Sequence, residues 1–96
     1  MNVKLIRMQS GEDVIADLIR EDETSFTVMN PIVAIPAQNN QMGFAPWSPL
    51  LKDKDTELTI TKSYLVYIAE PQEQIVDSYT EMFSIIETPP KKKLIV

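Results

Sequence analysis

Cysteine and histidine are both absent from the 96 residues. Without cysteine there is neither a disulfide nor a thiolate metal site. Without histidine the usual zinc ligand and the usual general base are both missing. Glycine occurs only twice, so there is no glycine-rich loop to cradle a phosphate. No apolar run approaches the roughly 20 residues that a membrane-spanning helix needs. No stretch resembles a signal peptide, which makes the cytoplasm the expected compartment and the membrane no partner. Stability must therefore come from burial, alone or shared with neighbouring subunits.

What the chain does have is 44% hydrophobic residues and a net charge of −5, from 14 acidic and 9 basic side chains. Three of the basic residues are Lys91, Lys92 and Lys93, so residues 1–90 carry −8. A body that acidic is a poor general ligand for nucleic acid, whose affinity rests on neutralising phosphates, although a local basic patch can still hold RNA. Catalysis has little to work with. Asp13 and Asp17 are four apart, which on a strand separates them by about 13 Å. The Asp22 turn and Asp53-Lys54-Asp55 lack the spacing of a calcium loop. The serines have no histidine to activate them. The expectation is no enzyme, no catalytic residue, no metal and no cofactor.

Gly11 stands between two alternating apolar runs, NVKLIRMQ and VIADLIR. A glycine there supplies the positive φ of a tight turn, so the pattern predicts a hairpin. In the second run Val14, Ala16 and Leu18 share one face, and Ile15, Asp17 and Ile19 share the other. A polar turn at 21–24 leads to SFTVM, with Phe26 and Val28 facing inward. Asn30-Pro31 is expected to interrupt the strand, since proline cannot donate to a ladder. Ile32 to Ile35 then resume it.

Residues 36–51 hold several prolines and read as a loop or an irregular edge strand. Met42, Phe44 and Trp47 within it either cap an open barrel end or form a docking surface. Residues 57–69 predict two short strands broken near Lys62-Ser63. A helix is expected over about 71–86, with Ile75, Tyr79, Met82 or Phe83, and Ile86 as its apolar stripe laid over the sheet. Thr88-Pro89-Pro90 ends it. Residues 91–96, KKKLIV, are a basic then apolar tail. All this describes a single domain over 1–90 that is mainly β.

The order of strand, glycine turn, strand, acidic turn, strand, variable loop and two short strands resembles the Sm-like family, the LSm proteins and bacterial Hfq. Gly11, Ala16, Leu18 and Asp22 are similar to the family's first motif, with alanine where glycine is usual. Lys62, Leu65, Ile68 and Pro71 in ITKSYLVYIAEP resemble the Hfq-type second motif. The helix-last layout resembles small Sm-like proteins of phage and marine origin. Departures are the missing N-terminal helix, Thr24 where a base-stacking residue is usual, and Phe26 where true Sm proteins carry asparagine.

The resemblance implies a small, strongly bent five-stranded Sm-like barrel over about 3–69. It also implies a homo-oligomeric ring, on the order of five to eight subunits, closed by edge pairing between neighbours. Its subunit interface would use Tyr64, Leu65, Val66, Tyr67 and Ile68. Single-stranded RNA at the pore would meet Asp22, Thr24, Lys62, Ser63 and Tyr64. The alternative is an oligomeric scaffold that binds other proteins and no RNA, favoured by the acidic body and the missing stacking residue.

Overall fold

A computed structural model describes residues 1–36, 42–51 and 55–84. The tail 91–96, and Ile86 of the expected stripe, lie outside the described residues. The elements are β1 (Val3–Met8), β2 (Asp13–Glu21), β3 (Ser25–Pro36), β4 (Met42–Pro46), β5 (Leu58–Thr61), a 3-10 turn (Lys62–Tyr64), β6 (Leu65–Ala69) and α1 (Glu73–Ser84). All pairings are antiparallel, in the order β4-β3-β2-β1-β6, with β5 also on β3. There are thus six strands where five were expected. The sheet does not close into a barrel, because among the described residues β5 pairs only with β3 and β6 only with β1.

Gly11 turns the first hairpin with φ +96°, and its N–H donates to the Met8 carbonyl at 2.9 Å. The alternation then sorts the two faces cleanly. Ile6, Met8, Val14, Ala16, Leu18, Phe26 and Val28 form the core on the concave face, with Ile60 from β5. On the other face Val3, Ile15 and Ile32 are covered by α1, whose Ile75, Tyr79 and Phe83 recur every fourth residue. Met82 lies off that stripe, 41% exposed.

Asn30-Pro31 does not interrupt β3; it bends it. The β2–β3 register slips by one residue between Ile15 and Asp17, and Asn30 takes φ 51°. This is a β-bulge, with asparagine accepting the left-handed conformation that most residues resist. Its effect is to reverse the phase of the strand. Phe26 and Val28 point to the concave core, whereas beyond the bulge Val33 does so and Ile32 faces the helix. A second slip between Leu18 and Arg20 bends β2 beside it.

The opposite edge of β3 is shared. Val28 faces Leu58 of β5, while Ile32 faces Pro46 of β4. On this edge no described strand residue therefore faces Met29, Asn30 or Pro31. Backbone groups left without a ladder need other partners. The Pro31 carbonyl accepts from Trp47 N–H at 2.9 Å. The Tyr79 hydroxyl lies 3.0 Å from the carbonyls of both Met29 and Asn30. Trp47 packs against the concave core and its Nε1 donates to Glu12 at 3.0 Å. Phe44 joins the cluster under α1. Within the excursion 47–57 between β4 and β5, Leu50 is 94% exposed.

Candidate functional site

The acidic turn after β2 and the 3-10 turn after β5 meet at one end of the sheet. β5 runs beside the start of β3, with Ser25 facing Thr61. The Lys62 N–H then donates to the Thr24 carbonyl at 2.9 Å. On the other side, Gln9 N–H donates to the Tyr64 carbonyl at 2.8 Å, tying the same turn to β1. Of the residues expected at an RNA site, Asp22, Thr24, Lys62 and Ser63 are thus gathered around one contact, with Tyr64 39% exposed next to them.

Asp22, Lys62 and Ser63 already have partners. Asp22 Oδ1 accepts from the backbone N–H of Thr24 and of Ser25, both at 2.8 Å. These bonds hold its carboxyl below the usual aspartate range. Asp22 is therefore the residue that builds the turn. Lys62 Nζ lies 2.8 Å from Glu21, and Arg20 pairs with Glu57 at 2.9 Å. The Ser63 N–H points to Thr61 Oγ1 at 3.4 Å.

Beside them, Arg20, Glu21, Asp22, Ser25, Thr27 and Thr59 line a polar cleft. Glu21 and Arg20 are the residues that sequence reasoning left out of the site. Their signal was there in the i to j charge pairing across neighbouring strands, but it is visible only once the register is known. Counting Arg20, Glu21, Asp22, Glu23, Glu57 and Lys62, carboxylates outnumber cations at this end of the molecule. Among the described residues no group of three or more metal-ligating side chains converges.

The second part of the expected site is the outer edge of β6. Tyr64, Val66 and Tyr67 are exposed, Val66 at 57%. Leu65 and Ile68, named with them as interface residues, instead turn inward onto the concave core. Val66 is the extra residue where the β1–β6 register slips between Arg7 and Met8. Arg7, paired to Asp13 through Nε at 2.6 Å, sits 6.0 Å above the Tyr67 ring. The strand thus offers exposed apolar side chains and, among the described residues, an outer edge that no strand pairs with.

No family model matches the chain, and none of the curated proteins is similar enough to count as a relative. No helix among the described residues is long and apolar enough to cross a membrane.

Proposed function

We propose that this chain is a non-catalytic, Sm-like subunit that assembles through the open edges of β5 and β6 into a scaffold for protein–protein contacts. The observation that carries the reading is the pair β5 and β6. β5 lies on β3 and β6 on β1, they are linked by one 3-10 turn, and among the described residues each is paired on one side only. Unpaired strand edges attract strands. Pairing β5 of one copy with β6 of the next is heterologous, and such contacts close into a ring where the rotation permits. The order β6-β1-β2-β3-β5 supports a Sm-like origin, with β4 and the excursion 47–57 as an addition to it.

The scaffold is preferred to RNA binding because of charge. Lys62, the one cation of the expected RNA site, is paired to Glu21, and Asp22 and Glu23 adjoin it. RNA binding is the second reading. It is supported by the convergence of Thr24, Lys62 and Tyr64, since an exposed aromatic beside a lysine suits a stacked base and its phosphate.

Native mass spectrometry of the full chain, with and without short oligo-U and oligo-A, tests both. A closed oligomer that ignores both RNAs is the expected result. One RNA per ring would move the assignment to the second reading. Val66→Lys, placed on the β6 edge away from the core, is expected to dissolve the ring while the fold persists. A ring unaffected by it, or a wild type with no closed oligomer, would overturn the assembly.

A further inference from the structure

Among the described residues, the proposed ring leaves the outer edge of β4 unused. Its backbone pattern follows from the register. Trp47 N–H bonds the Pro31 carbonyl, and antiparallel ladders alternate bonded and non-bonded pairs. Ala45 and Gly43 are therefore the next residues bonded to β3, opposite Val33 and Ile35. Met42, Phe44 and Pro46 send their backbone groups outward. The outward donors are the N–H of Met42 and of Phe44, because proline has none. The outward acceptors include the carbonyls of Phe44 and Pro46.

This pattern complements itself. We infer that β4 pairs antiparallel with β4 of a second copy across a two-fold axis at Phe44. Phe44 and the partner's Phe44 exchange two N–H to carbonyl bonds. Each Met42 N–H donates to the Pro46 carbonyl opposite, at the position where proline supplies an acceptor and no donor. Every outward donor of the edge is satisfied, with no proline set against another donor. The arrangement is isologous, so it stops at two.

Charge favours a second copy as the occupant. From Thr24 to Leu51 the sequence holds no Asp, Glu, Lys or Arg. Two copies of a chain with net charge −5 repel most where their carboxylates face, and neither β3 nor β4 carries one. Charged residues are also the usual guard of an exposed strand edge, and β4 has none. The two Phe44 rings come to lie on the α1 side as cross-strand neighbours, a favourable aromatic pair.

Amide hydrogen exchange on the full chain reads the contact directly. In concentrated solution the Phe44 and Met42 amides are expected to be protected, and on dilution to exchange as free amides do. Those of Gly43 and Ala45 stay protected throughout. Fast exchange of Phe44 at every concentration overturns the pairing and leaves the edge to a strand from another protein.

Phe44→Pro, which deletes the two central bonds, is expected to halve the mass of the largest assembly, whereas Phe44→Leu keeps it. A doubled species that survives Phe44→Pro also overturns the pairing. Val66→Lys separates this contact from the ring, since a chain that no longer forms rings still dimerises through β4. A Val66→Lys chain that is monomeric at all concentrations counts against the pairing.

Discussion

On the edge of β3 away from β2 no described strand residue faces Met29 or Asn30, and one hydroxyl lies against both carbonyls. Tyr79 is 1% exposed and lies 3.0 Å from each oxygen. Removing that hydroxyl leaves acceptors unmet at the bend of β3, which costs about 1–3 kcal/mol. Tyr79→Phe is expected to lower the urea midpoint accordingly with its slope unchanged. The same side chain sets an alkaline limit. Burial, helped by the charge of Asp17, raises its pKa well above the ordinary 10.0. The folded state holds the proton more tightly than the unfolded one. The stability this contributes is complete below about pH 10 and is lost as pH rises further. Thermal melts of wild type should fall steeply across that range. Melts of Tyr79→Phe should fall less, and equal slopes would show that Tyr79 does not titrate with unfolding.

At the scale of elements, the helix decides what the outer face of the sheet is worth. Ile15 is 4% exposed under α1, whereas Ile19, the extra residue where β2 slips between Leu18 and Arg20, is 37% exposed. Ile15→Ala is expected to cost about 2–5 kcal/mol and Ile19→Ala about 0.5 or less, by urea denaturation. Similar losses would mean that α1 does not rest on the sheet in solution.

The alternation of residues 14–18 made β2 legible from the sequence. The spacing of Ile75, Tyr79 and Phe83 did the same for α1, and Gly11 for the first hairpin. Asn30-Pro31 was misread because proline marks a ladder's end and a bulge with the same letter. Which it is depends on whether the partner strands continue past it. β4 was obscured by Pro46 and by the prolines on either side of it, Pro36 and Pro49. The site was partly legible. Asp22, Thr24 and Lys62 do meet, but the pairing of Lys62 to Glu21 depends on register and local bending that no spacing rule encodes.

For the whole molecule, the distribution of charge matters more than its sum. Carboxylates gather at the end where the turns meet, while the β3–β4 half carries no ionisable side chain before Lys52. An acidic end repels phosphates, and the repulsion weakens as salt rises. Assembled wild type is therefore expected to bind neither oligo-U nor oligo-A in a fluorescence anisotropy titration at moderate salt, and Lys62→Ala to change nothing. Binding that Lys62→Ala weakens, and that falls with added salt, would establish the RNA reading instead.

The pairing of Leu5 with Ala69 joins strands far apart in sequence, and this has a consequence for how the chain is made. During synthesis β1, β2 and β3 emerge first and can form their hairpins from local contacts, which are quick to close. β1 must then wait for β6 before its second edge is covered. At about 5–20 residues per second the ribosome takes several seconds to deliver it. For that interval the nascent chain exposes the Leu5–Met8 edge to every neighbouring chain on the same message. The arrival of β6, far behind β1 in the chain, is what ends the exposure.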